Sequence, residues 1–206
     1  MKTLFIPAES KLNISLKDLP KLPKNLAVVY SIQYKKQAEQ VKNILSETHH
    51  ITNFLQVLGC SKPEFPKNTK AVLLLSDGKF HAVSLAQKIK LPIYMLSRDS
   101  FVRISKEDLQ SLEKNKKVSY VRFLNAQKIG ILISIKPGQQ RFDRAVNLKK
   151  KLRSKNSYLF IANNIHAGEF ENFPEIESWV NTACTRLDMS SPKIINLDDI
   201  RNIYKN

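Results

Sequence analysis

Two runs of consecutive apolar residues, 71–75 (Ala-Val-Leu-Leu-Leu) and 129–135 (Ile-Gly-Ile-Leu-Ile-Ser-Ile), constrain the fold more than any other feature of the chain. A strand that is apolar at odd and even positions alike must be covered on both faces, which is the situation of strands in parallel sheets flanked by helices. Segments with helical spacing surround both runs. Ala38, Val41, Ile44 and Leu45 share one face of a helix over 35–47, a second helix fits 80–89, and a helix over 141–153 would bury Phe142, Val146 and Leu152. Ser105 followed by Asp108 reads as a helix start, with Asp where the capping box usually has Glu, and that helix runs to about residue 126. Further strands are expected at 3–6, 26–32, 54–58, 91–96, 157–162, 176–182 and 193–195, with a last helix from Leu197.

Strand and helix therefore alternate in two rounds. The pattern predicts an α/β fold of two similar Rossmann-like lobes with mainly parallel sheets, meeting near residues 97–104. The expected divisions are a leader strand and a proline-bearing linker over 1–24, one α/β domain over 25–100 and another over 101–206. Ligands of such sheets sit beyond the carboxyl ends of the strands. The segments with distinctive chemistry fall there: Gly59-Cys60, Ser76-Asp77-Gly78, Lys136-Pro137-Gly138-Gln139 and Ala183-Cys184.

With 42% of its 206 residues hydrophobic, the chain can offset the entropy of ordering, which excludes a disordered segment. No apolar run approaches the ~20 residues of a membrane-spanning helix, and the apolar stretch at 4–6 is too short for a secretory leader. A cytoplasmic protein with no membrane partner is expected. Thirty-four Lys and Arg against eighteen Asp and Glu give a net charge of +16, and nine of the cations face only Asp143 between residues 128 and 155. Such an excess attracts polyanions and acidic proteins, although a compositional bias toward lysine produces it too. The stretch is expected to present its charges on one face. It lacks the interleaved aromatics of single-stranded nucleic-acid sites, so nucleic acid is expected only through ribosome-associated contacts.

Cys60 and Cys184 are the two cysteines, and neither belongs to a CxxC pair. Each ends a strand, where a thiolate could hold a metal; a packed core thiol is the alternative at each position. The Asp77-Gly78 turn opens a helix whose amides suit an anion or carboxylate. His81 follows as a base or as a hydrogen-bonded structural residue. Lys136 and Arg141 flank Gly138, whose backbone can approach a ligand closely; an ordinary turn on a basic surface is the plainer reading. Arg186 stands two residues after Cys184.

Together these segments carry a resemblance. QVLGC at 56–60, DGKFH at 77–81, IGILISIKPGQQR at 129–141, NFPEIESWVNTAC at 172–184 and Arg186 resemble, in order and spacing, the radical S-adenosylmethionine-dependent 3-amino-3-carboxypropyl transferases of diphthamide biosynthesis. The resemblance implies three related α/β domains in a full enzyme, each giving one cysteine to a [4Fe-4S] cluster. Cys60 matches the second-domain ligand and Cys184 the third-domain ligand, so the two are expected to face one crevice. It further implies that Asp77, Gly78, His81, Lys136, Gly138, Gln139 and Arg186 serve the binding of cofactor and S-adenosylmethionine. The implied chemistry cleaves S-adenosylmethionine to a 3-amino-3-carboxypropyl radical that attacks a histidine ring carbon of elongation factor 2.

The departures from the family pattern shape the expectation. The family's first domain, with its cysteine in a Gly-Ala-Cys context, has no counterpart, and residues 4–7 resemble the strand that closes it. Thr185 stands where the family usually has Pro, and Asp188-Met189-Ser190-Ser191 matches its acidic pair only in part. The expectation is a split or truncated enzyme, inactive as an isolated chain, that needs a separate chain carrying the first domain and works as a homo- or heterodimer. A non-catalytic scaffold or a basic binding module that kept the fold are the alternatives.

Overall fold

Each apolar run lies inside its own sheet in the computed structural model, which describes residues 4, 6, 8–10, 21–98, 100–189 and 191–200. The chain divides into two units, Met1–Leu109 and Gln110–Asn206. The first holds β1 (Asn25–Tyr30), α1 (Lys35–Ser46), β2 (His50–Gln56), β3 (Ala71–Leu75), α2 (Lys79–Lys88), β4 (Ile93–Leu96) and β5 (Phe101–Arg103). α3 (Lys106–Asn125) spans the division, and the second unit continues with β6 (Lys128–Ser134), α4 (Phe142–Lys151), β7 (Asn156–Ala162), β8 (Ser178–Asn181), β9 (Ile194–Asn196) and α5 (Leu197–Ile200).

The sheet orders are β2-β1-β3-β4-β5 and β7-β6-β8-β9. All pairs are parallel except β4 with β5. Setting β5 aside, the two orders are the same: the second strand lies outside the first, and the third and fourth follow on the other side. The chain is thus an α/β protein of two similar lobes.

The apolar runs are buried on both faces, as their sequence demands, except at Ile135, which lies past the end of β6 and is 51% exposed. On one side of the first sheet Leu26, Val28, Leu73 and Leu75 pack with Ala38, Val41 and Leu45 of α1. The alternate residues Ala27, Val29, Val72 and Leu74 point to the opposite face and are equally inaccessible. In the second sheet Ile129, Ile131 and Ile133 meet Phe123 of α3 and Ala145 and Leu148 of α4. The other face is covered by aromatics rather than a long helix. Trp179 stacks on Phe170 from a 3-10 segment (Ala167–Asn172), with ring centroids 4.4 Å apart, and meets Phe160 edge-on at 4.7 Å. Gly130 lies directly under Trp179, where a Cβ would fall 2.3 Å from Cε3 of the indole.

Several local expectations need correction. Ile44 is 52% exposed, because α1 turns Gln37, Ala38, Val41 and Leu45 inward instead. Phe142 is 44% exposed: as the first residue of α4 it lies at the carboxyl ends of the strands, where the sheet gives it little to pack on. β5 carries only three residues, too few to show a period, and it extends the first sheet into the stretch where the lobes were expected to meet. Leu4 and Ile6 are exposed and belong to no strand. Residues 3 and 5 of that expected strand, 11–20 of the linker and the helix beyond 200 lie outside the described residues. Among the described residues no helix is long and apolar enough to cross a membrane.

The capping of α3 is as the sequence indicated. The Asp108 N–H donates to Ser105 Oγ at 3.1 Å, and the Ser105 N–H donates to Asp108 Oδ2 at 3.2 Å. That backbone hydrogen bond is the main reason the Asp108 carboxyl lies below its usual range. Because the folded-state value is depressed, the stabilisation is present above the unfolded pKa of about 4 and fades as pH falls through the native value. Asp108→Ala is expected to lower stability by about 1 kcal/mol near neutral pH and by progressively less in acid, as read by urea unfolding across pH. Gly130→Ala is expected to cost roughly 1–3 kcal/mol, since the buried Trp179 has no room to withdraw; near-ultraviolet circular dichroism of the indole reports the shift.

Candidate metal and ligand sites at the strand ends

Both cysteines are exposed, which rules out the core-thiol alternative. Cys60 follows β2 in a tight turn. The Ser61 N–H donates to the Leu58 carbonyl at 2.9 Å, and the Leu58 N–H donates back to Ser61 Oγ at 2.8 Å. α2 grips this turn from the side: Ser84 Oγ and Lys88 Nζ both donate to the Gly59 carbonyl, at 2.8 and 2.6 Å. Lys88 Nζ also reaches the Ser61 carbonyl at 3.3 Å. A Cβ on Gly59 would fall 2.3 Å from Cε1 of Phe80, so the ring sits where only glycine leaves space. The QVLGC and DGKFH segments are therefore two sides of one contact.

Asp77 and Gly78 follow β3 and open α2, with Gly78 at φ +79°. Next to them, Tyr34 lies in the 3-10 turn after β1 and is 1% exposed. Burial, and then a hydrogen bond with Asp77, hold the Tyr34 phenol above its usual pKa. His81 is half-buried in the first turn of α2, its ring edge-on to Phe80 at 5.3 Å.

In the second unit, Lys136, Pro137, Gly138 and Gln139 form a turn closed by the Gln139 N–H on the Lys136 carbonyl at 3.0 Å. Proline second and a glycine at φ +78° third make it a type II turn. Cys184 follows β8. Asn181, 2% exposed, accepts the Ala183 N–H at 2.9 Å and donates to the Cys184 carbonyl and to Asn196 Oδ1, both at 2.7 Å. Asn196 in turn donates to the Thr185 carbonyl at 3.1 Å, and Thr182 Oγ1 donates to the Leu132 carbonyl at 2.7 Å. Arg186 is exposed in the 3-10 turn Thr185–Met189.

Each unit therefore presents one exposed thiol on a turn whose carbonyls are held by side chains from elsewhere. The cysteines do not occupy equivalent strands: Cys60 follows the edge strand β2, and Cys184 follows the inner strand β8. Sequence reasoning named Asp77, Gly78, Lys136, Gly138, Gln139 and Arg186, and all lie at the carboxyl ends of their own unit's strands. It missed Tyr34, Ser84, Lys88 and Asn196 as supports. Among the described residues no three His, Cys, Asp or Glu side chains gather as a metal group. Thiolates suit iron and zinc, but two are fewer than the ligands such sites need.

The basic stretch does not form one face. Lys128 opens β6 and Lys136 follows its far end. Lys155 Nζ is engaged with the carbonyls of Leu124, at 2.8 Å, and Ala126. Arg144 meets Asp198 at 4.0 Å.

These features define a class: a two-lobed α/β protein with an exposed, turn-held thiol in each lobe. The diphthamide synthesis protein family matches residues 1–193, and the chain belongs to it. It is 24% identical to 2-(3-amino-3-carboxypropyl)histidine synthase of Pyrococcus horikoshii, over 91% of this chain and 59% of that protein. It is 27% identical to subunit 1 of the human 2-(3-amino-3-carboxypropyl)histidine synthase, over 65% of this chain and 32% of that one. The chain thus spans less than two thirds of the length of these relatives. The crystal structure of Dph2 from Pyrococcus horikoshii with a 4Fe-4S cluster shares the fold, with a TM-score of 0.73 at 22% identity over 88% of this chain and 57% of that chain.

Exposure makes both thiols reactive toward an aromatic disulfide reagent in the native state. Two equivalents are expected to be released without denaturant; release only after unfolding would return both cysteines to the core.

Proposed function

We propose that this chain takes part in the transfer of a 3-amino-3-carboxypropyl group from S-adenosylmethionine to a histidine of elongation factor 2, the first step of diphthamide synthesis, in the cytoplasm. It does so as a split or truncated form completed by a first-domain partner. The observation that carries this reading is the pair of exposed thiols on held turns, one in each unit, at strand ends where α/β sheets take their ligands. The donor type fits a [4Fe-4S] cluster, whose usual ligands are thiolates. The donor number does not close: a cluster with one iron left open for a substrate needs three thiolates, and the third would come from outside these residues. A bound cluster would supply the electron that cleaves a sulfonium carbon–sulfur bond.

The remaining candidates divide by charge. Lys136, Arg186 and the Gln139 amide offer donors for the carboxylate of an amino-acid moiety, and the turn at Gly138 lets the backbone approach it. Asp77, near Tyr34, offers an acceptor for an ammonium group, with His81 in the first turn of α2. The excess of Lys and Arg suits an acidic protein surface and favours encounter with it.

The test is anaerobic loading with iron and sulfide, followed by S-adenosylmethionine and elongation factor 2. The chain alone is expected to give no transfer. Addition of a first-domain chain bearing the Gly-Ala-Cys cysteine is expected to restore it, and Cys60→Ala or Cys184→Ala to abolish it again. Turnover by the chain alone would overturn the split-enzyme reading. A stable complex without transfer, indifferent to both replacements, would assign a scaffold instead.

A further inference from the structure

The second half of α3 has an outward face that the folding of its own unit does not explain. Leu112, Ser119, Phe123 and Ala126 form the buried side. At about 100° per residue, Val121 lies half a turn away from Leu112, diametrically opposite that side, with Val118 and Leu124 about 60° to either side of it. These three are 54%, 43% and 44% exposed. A surface helix ordinarily carries polar residues there. The polar residues that do share this face are Lys114, Lys117 and, at the end of the helix, Asn125, and residues 114–125 hold four cations, Lys114, Lys116, Lys117 and Arg122, and no acid. Beside Val121 a groove of about 430 Å³ is walled by Lys116, Lys117, Tyr120 and Asp199. Lys116 Nζ is held on Asp199 at 3.2 Å, which fixes that wall.

We propose that this face of α3 is a docking surface for an acidic amphipathic helix of a partner protein. The apolar stripe takes the partner's apolar residues at helical spacing, with one side chain entering the groove beside Val121, and the flanking lysines meet its carboxylates. The combination selects protein over nucleic acid, since a phosphate backbone is met by cations alone and gains nothing from exposed valines. It is a surface separate from the hydrogen bonds that hold the cysteine turns, which come from Ser61, Ser84 and Lys88 at Cys60 and from Asn181 at Cys184.

The probe is a labelled synthetic peptide of about four helical turns, with Leu at helical spacing on one face and Glu on its flanks. It is titrated against the whole chain by fluorescence anisotropy. A scrambled peptide of the same composition and a single-stranded RNA of matched charge are the comparisons. The amphipathic peptide is expected to bind at least about tenfold more tightly than the scrambled one. Val121→Ser is expected to reduce that binding about tenfold, and Lys114→Glu with Lys117→Glu to reduce it further and flatten its salt dependence. Equal binding of the scrambled peptide, tighter binding of the RNA, or indifference to Val121→Ser would each overturn the proposal.

Discussion

Burying a strand on both faces leaves its carboxyl end as the place where polar chemistry can stand. β3 and β6 are buried this way, and everything distinctive about the chain is arranged around their ends and those of their neighbours. The constraint recurs in the glycines. Gly130 gives Trp179 the space to close the second core, and Gly59 gives Phe80 the space to press the Cys60 turn against α2. Segments that look like separate motifs in the sequence are therefore pairs of contacting surfaces.

The two thiol turns solve one problem in different ways. A turn carrying a reactive side chain must be exposed, and exposed turns are ordinarily the least fixed part of a fold. At Cys60 the fixing groups come from the helix side, Ser84 and Lys88. At Cys184 they come from the sheet itself, through Asn181 and Asn196. Asn181 is buried with both its amide nitrogen and its oxygen bonded, which makes it a rigid bracket rather than a surface residue. The sulfur is left as the free end of a held backbone, the arrangement a ligand set needs.

The sheet strands, the helices and the strand-end turns were legible because each is written in consecutive residues. Ser105 and Asp108 announce a cap three residues wide, and the structure makes it. Lys136-Pro137-Gly138-Gln139 announces a turn between strand and helix, and the structure makes it one of type II. What was not legible depends on residues far apart in sequence. Nothing in α2 marks Ser84 or Lys88, whose partner Gly59 lies 25 or 29 residues earlier. Tyr34 looks like one more aromatic near a strand until folding brings it to Asp77. Ile44 and Phe142 misled because periodicity gives the phase of a helix and not where the sheet beneath it ends.

The proposal at the centre of the account is that Cys60 and Cys184 serve as iron–sulfur ligands, completed from outside these residues. It is tested most directly by iron and sulfide content, with Mössbauer spectra, of the complex formed with a first-domain chain under anaerobic loading. The wild-type complex is expected to hold a thiolate-ligated cluster, and Cys60→Ser and Cys184→Ser are each expected to lose it. Equal iron and sulfide content in the wild type and both variants would contradict the claim.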